Sequence, residues 1–400
     1  MTSRERILAA LNHQPTDRIP IDFGGTRQSG IAVIAYHLLR QHLNLPSPKP
    51  ARVFDLFQML AEIDQDVADR LGADCVGLYR PDIAFGIPHR AWKTTTLFDG
   101  TPVQVPGEYH PVQEPDGSLV LFRNNRPVAR MPHNGFYFDR LEQYPGATHP
   151  DLDTWEPPRL APEVFDHYHQ QANSLFNNTD KAIVAPFGPP YELFYGLGTG
   201  GFENWMITFA SEPTYVRQLY RKLVDAWLDH LKQLHAAVGN QIHVLQICDD
   251  FGTQNAPFLS PKMFRDLVAP AYKEGLDWIH ANTTWKILLH SDGAILPLLP
   301  VIIQMGVDCL NPVQTSAVGM NPAILKREFG NQLVFWGGSC DPQTTLTHGT
   351  PQEVAKETRR NIETLAPNSG YIFAPIHNIQ ANVPPQNITA LFETALSFRP

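Results

Sequence analysis

Two histidines in this chain directly follow strongly apolar runs, His290 after KILL and His377 after YIFAPI. A histidine in such a place is often a packed residue whose tautomer is locked by a backbone carbonyl. His290, however, is followed two residues on by Asp292, in His290-Ser291-Asp292-Gly293. Extended backbone repeats every second residue, so these two side chains share a face. Joined by His377 they make two imidazoles and a carboxylate. That set suits zinc or another divalent metal, with positions left open for substrate. Cys340, in Gly337-Gly338-Ser339-Cys340-Asp341-Pro342, is a further candidate ligand, weighed against a role as a small buried hydrophobe.

Asp249-Asp250 is a carboxylate pair at the end of another apolar run. Neighbours on a strand face opposite ways, so both reach one cavity only if the chain turns, which Phe251-Gly252 permits. One of the pair, or His377, is a candidate acid or base, and a carboxylate here could also orient a ligand histidine. The alternative for either aspartate is a loop anchor. Asp22, Gly24, Tyr191, Gln254, Asn311 and Gln314 lie just beyond apolar runs and are candidates to line the substrate cavity. Gly24-Gly25-Thr26 and Gly198-Thr199-Gly200-Gly201 match neither the phosphate-loop nor the dinucleotide pattern, so they are expected to be tight turns.

These residues need strands to deliver them. Short apolar runs alternate with long amphipathic stretches, as in repeated βα units. Strands are expected at Arg18–Phe23, Asp74–Leu78, Lys181–Phe187, His243–Cys248, Lys286–His290, Val307–Asn311, Leu333–Gly337 and Tyr371–Pro375. Runs this continuous fit parallel strands buried on both faces. Thr350-Pro351-Gln352-Glu353 predicts a capping box opening a helix to about Leu365. Ser260-Pro261 opens another, ending near Asn282, and Ser211 a third over Pro213–Ala237. The third carries Leu219, Leu223, Trp227, Leu231 and Leu234 on one stripe, a packing pattern. Eight strands with helical crossovers predict an α/β fold, a (β/α)8 TIM barrel whose chemistry sits at the C-terminal strand ends. From about 80 to 180 the rhythm breaks, with turn signals at Asp99-Gly100, Asp116-Gly117 and Asn124-Asn125. We expect a hairpin-bearing insertion after the second strand, capping the barrel mouth within a single domain over 1–400.

The bulk composition narrows the function classes. At 400 residues, 43% hydrophobic and 18% charged, the chain is globular in character, and its formal net charge of −9 argues against a nucleic-acid partner. No apolar run is long enough to span a bilayer, and the charged, amphipathic opening lacks a signal core, so the expectation is a cytoplasmic protein without membrane contact. Four cysteines without CxxC spacing do not make a disulfide framework.

Several segments resemble the uroporphyrinogen decarboxylase superfamily: MTSRERILAALNHQPTDRIPIDFGGT, FDLFQMLAEIDQDVADRLGADCVGL, GVDCLNPVQTSAVGMNPAILKREFG, FWGGSCDPQTTLTHGTPQEV and HNIQANVPPQN. The resemblance implies the same barrel. It also implies one of two chemistries, decarboxylation or corrinoid-linked methyl transfer. The arginine-rich opening of true uroporphyrinogen decarboxylases is replaced by Asp22-Phe23-Gly24-Gly25-Thr26-Arg27-Gln28, with a single arginine to meet many carboxylates. The methyltransferase branch has a His-x-Cys-Gly zinc motif after the fifth strand and a cysteine after the eighth. Here Asp292 replaces the first cysteine and His377 the second, giving a harder, more Lewis-acidic donor set. The resemblance therefore implies a metal-dependent methyltransferase acting on a small-molecule substrate, with the corrinoid carried by a partner protein, as a monomer or a homodimer. The alternatives are a cofactor-independent decarboxylase of a carboxylated aromatic or pyrrole, using Arg27, Arg80 and His377, and a ligand-binding protein without turnover.

Overall fold

The computed structural model describes residues 1–141, 149–194 and 201–399. The expected turn at Gly198–Gly200 and part of the 80–180 stretch lie outside them. Seven parallel strands form one sheet: Cys75–Gly77, Ala182–Pro186, Val244–Cys248, Lys286–His290, Cys309–Asn311, Val334–Trp336 and Tyr371–Ile372, each beside its sequence neighbour. The segment around Ile21 is not a full strand, but it stands in the eighth place. The Asp22 amide donates to the Phe373 carbonyl (2.8 Å), and the Asp74 amide to that of Ile21 (2.7 Å). Proline at position 20 and the turn at Gly24-Gly25 leave room for a single parallel bridge, Ile21 to Phe373. The Val307 and Tyr371 runs likewise yield shorter strands than their apolar content suggested.

Alternation divides the strand residues between two cores. Leu288, Val244, Cys309, Trp336 and Val184 pack together inside the ring, where Ile7, Ala10 and Leu11 of the Ser3–Leu11 helix join them. Ile287, Leu289, Leu245 and Leu310 face the surrounding helices. His290 thus continues the inward row begun by Leu288. Register then sets a line across three strand ends, Cys248 opposite His290 and His290 opposite Asn311.

Thr350 makes the expected capping box with Glu353, opening the Pro351–Leu365 helix. The Pro213–Val238 helix buries Leu219, Leu223, Trp227, Leu231 and Leu234 completely. Its start differs from the expected one: Ser211 ends the preceding helix and Glu212 holds the cap position. Proline at the first helical position starts the helix without a side-chain cap. Ser260 caps its helix through the Met263 amide (3.2 Å), and the helical run to Asn282 passes through a π turn at Phe264–Val268.

Two smaller sheets stand apart from the ring. Lys93–Thr96 and Pro102–Val105 pair across Asp99-Gly100, and Leu119–Arg123 and Arg126–Met131 across Asn124-Asn125. Both asparagines have positive φ (51° and 60°), which asparagine tolerates better than most residues. Pro102–Val105 also pairs in parallel with Ala51–Asp55, a strand that precedes Cys75–Gly77 in the chain. The excursion is therefore tied to a segment lying before the second barrel strand. No helix among the described residues is long and apolar enough to cross a membrane.

Candidate functional site

The line of register ends in a cluster. One donor atom each from His290, Asp292 and His377 lies within 4.8 Å of the others. Asp292 Oδ2 stands 3.6 Å from His290 Nε2 and 3.9 Å from His377 Nε2. Two donors bound at about 2.1 Å to a tetrahedral ion stand about 3.4 Å apart, so the three atoms are close to the spacing a single divalent ion needs. His290 is buried, whereas Asp292 and His377 are each 31% exposed, which leaves one side of the cluster open.

Outer contacts fix the side-chain orientations. His290 Nδ1 lies 2.6 Å from Asn311 Oδ1, and Asn311 Nδ2 donates to the Trp336 carbonyl (2.9 Å). Trp336 Nε1 in turn donates to Asp22 Oδ2 (2.9 Å). An amide oxygen only accepts, so Nδ1 carries the hydrogen and Nε2 faces the cluster. Asp250 Oδ1 accepts from the Asp292 amide (2.8 Å), and Gln314 Oε1 from the Gly293 amide (2.7 Å). Gln314 Nε2 donates to Gln254 Oε1 at the exposed rim (2.9 Å). Asn311 and Gln314 therefore spend these groups on building the site, where the sequence suggested substrate contacts.

The charges in the cluster act on one another. Burial opposes a positive His290, but Asp292 and Asp250 outweigh it and raise its pKa to about 9. Burial likewise opposes a negative Asp292, yet His290 and His377 hold it below the usual carboxylate range. A metal ion at these atoms would take the place of that histidinium charge.

The aspartate pair splits as strand geometry requires. Asp250 faces the cluster. Asp249 is fully buried and turns the other way, accepting from the Tyr272 hydroxyl and the Phe194 amide (both 2.6 Å). Its part is to anchor the loop. Cys340 is not brought to the cluster: its thiol is buried in the outer core, and burial followed by Glu357 and Asp341 pushes its pKa up. Asp22 is also fully buried, and burial raises it to about 6 while Trp336 and the Gly25 amide hold its oxygens. Gly24, at φ 82°, lines a cavity of about 650 Å³ beside Cys75–Gly77. Tyr191 lines a second, of about 700 Å³, past the end of the Ala182–Pro186 strand. Neither of these cavities is lined by the three clustered residues. Arg27 is held by Asp55, and Arg80 by Asp82 at 3.1 Å.

One residue was missed. Glu192 is half-buried near Asp250, Cys248 and Arg27, and desolvation followed by Asp250 raises its pKa to about 7. Its only sequence signal was its position, next to Tyr191 in the Pro189-Pro190-Tyr191-Glu192 run.

The comparisons with known proteins agree with this architecture. The family model for uroporphyrinogen decarboxylase (URO-D) matches residues 181–398, which hold the cluster and more than half of the chain. A uroporphyrinogen decarboxylase from Dechloromonas aromatica (strain RCB) is 24% identical over 243 residues, 58% of this chain and 63% of that protein. The match thus spans just under two thirds of that relative. A methyltransferase from Methanosarcina mazei superposes with a TM-score of 0.60 at 17% identity, covering 100% of this chain and 99% of its own. At that identity the likeness is one of fold. The chain belongs to the uroporphyrinogen decarboxylase family, a family of enzymes built on the TIM barrel.

Proposed function

We propose that this protein is a metal-dependent methyltransferase that moves a methyl group between a small molecule and a corrinoid carried by a partner protein. The observation that carries the reading is the convergence of His290, Asp292 and His377 donor atoms within 4.8 Å, with His290 oriented from behind by Asn311. A divalent ion held by these residues would act as a Lewis acid toward the heteroatom that bears or receives the methyl group.

The chain's own groups do the rest. Asn311 keeps Nε2 of His290 aimed at the ion's position. Asp250 steadies the Asp292 backbone, and its carboxyl, raised by burial, stands beside both histidines. Glu192, with a pKa near 7, is suited to return a proton to the heteroatom that loses its methyl group.

The competing reading is decarboxylation without a metal, favoured by the 24% identical uroporphyrinogen decarboxylase. It needs a cationic group beside the carboxylate that is lost as carbon dioxide, and Arg27, the one arginine of the opening segment, is engaged with Asp55. The two separate in one assay. The purified protein is mixed with cob(I)alamin and a panel of methyl ethers, thioethers and methylamines, while visible absorbance follows formation of methylcobalamin. Methylation that chelation abolishes supports the proposal. Carbon dioxide release from aromatic carboxylates, unaffected by chelation, overturns it.

A further inference from the structure

The chain carries an excess of acid, with 40 acidic residues against 31 lysines and arginines. The cavity of about 700 Å³ at the end of the Ala182–Pro186 strand reverses that balance. Arg80, Arg123 and Arg159 line it, against a single carboxylate, Asp82. Arg80 is paired with Asp82 (3.1 Å), and Arg159 with Asp229 (2.8 Å), which is not among the lining residues. Arg123 has no carboxylate partner among the described residues, and its Nη1 donates to the Phe85 carbonyl at 3.0 Å. Gly86 makes room for it: a Cβ there would lie 2.4 Å from Arg123 Nη1. His230 adds no charge to this wall, since it accepts the Leu160 amide hydrogen bond (3.1 Å) and its pKa is pushed down to about 4 by burial and by Arg159.

The same loop that borders this cavity borders the metal centre. Pro189, Pro190 and Tyr191 line the cavity, and the next residue, Glu192, lies half-buried near Asp250 and Cys248. One loop thus separates an acidic, metal-binding end from a basic end. Guanidinium groups recognise planar oxyanions through paired charge-assisted hydrogen bonds.

We propose that this cavity is an oxyanion subsite, in which Arg80, Arg123 and Arg159 receive an anionic arm, a carboxylate, of the substrate whose other end reaches the metal centre. The proposal rests on the catalytic reading of that centre, and it deepens that reading by assigning the substrate a negative charge at one end.

The test is calorimetric titration of the full chain with benzoate, with its neutral isostere benzamide, and with inorganic phosphate. Metal content is measured on the same samples. The subsite requires benzoate to bind at least about tenfold tighter than benzamide, the scale of one lost charged hydrogen bond. Arg123→Gln and Arg159→Gln should each weaken benzoate about tenfold, and Asp82→Asn should tighten it, with metal content unchanged in all three. Equal binding of benzoate and benzamide, no heat from benzoate, or indifference to the arginine variants overturns the subsite. Phosphate binding without benzoate binding overturns the substrate arm in favour of a free oxyanion. A metal-free protein that still prefers benzoate to benzamide would instead sink the metal-centre reading and leave the subsite standing.

Discussion

His290 Nδ1 and Asn311 Oδ1 stand 2.6 Å apart on adjacent strands, and this contact decides which histidine nitrogen faces Asp292 and His377. Losing the acceptor frees the ring to rotate and to change tautomer. Asn311→Ala is expected to weaken metal binding by about 10- to 100-fold, the usual cost of an outer-shell partner. Asn311→Asp keeps an acceptor and should retain most of the affinity. Competition with a chromogenic chelator measures both.

Gly293, at φ 96°, is where the loop carrying Asp292 crosses the loop carrying Asp250. A Cβ there would lie 2.4 Å from the carbonyl carbon and oxygen of Gly252. Gly293→Ala combines that clash with a left-handed backbone, so it should cost about 2–4 kcal/mol and reduce metal content together with stability. Urea unfolding and elemental analysis on one preparation check it.

At the opposite end of the barrel, Asp74 is fully buried between Arg6 Nη1 (2.7 Å) and Arg18 Nη1 (2.8 Å), and accepts the Ile21 amide (2.9 Å). This carboxylate fastens the short first segment to the second strand. Asp74→Ala removes the carboxylate that both guanidinium groups share, leaving Arg6 only Asp17 (2.7 Å) and Arg18 no carboxylate among the described residues, and should cost about 3 kcal/mol, read from the urea midpoint. Metal affinity per folded molecule should hold, because the cluster lies at the other strand ends.

Stability should fall on the acid side for an identifiable reason. His243 Nδ1 accepts the Ile183 amide (3.0 Å), and His230 Nε2 the Leu160 amide (3.1 Å), so both rings are held neutral. Burial, then nearby arginines, lowers each to about 4, against about 6.5 in the unfolded chain. A depressed pKa gives stability that is present above about 6.5 and lost as pH falls through about 4. Each ring contributes at most about 3 kcal/mol. Urea midpoints from pH 7.5 to 4.5 should decline, and His243→Asn should flatten part of the slope.

The sequence revealed those features that depend on local pattern. The KILLH and HVLQIC runs read as strands because their apolar continuity matches burial on both faces, and His290-x-Asp292 read as one face because strand periodicity is two. Thr350 read as a cap from its spacing to Glu353. What it hid depended on neighbours distant in sequence. Asn311 looked like a cavity residue, and only the register of Lys286–His290 against Cys309–Asn311 shows it behind His290. Asp249 and Asp250 were indistinguishable until Tyr272 and the Phe194 amide claimed the first. Cys340 had ligand chemistry in its side chain, but its direction is set by packing against the outer core. Glu192 lay beside a candidate residue and became conspicuous only through its closeness to Asp250.

The central claim is that His290, Asp292 and His377 hold one divalent metal ion. Elemental analysis of the purified full chain, beside His290→Ala and His377→Ala, tests it most directly. The account predicts about one equivalent of zinc or another divalent metal in the parent protein, lost in both folded variants. A folded, active protein without metal, or variants that keep it, would contradict the account.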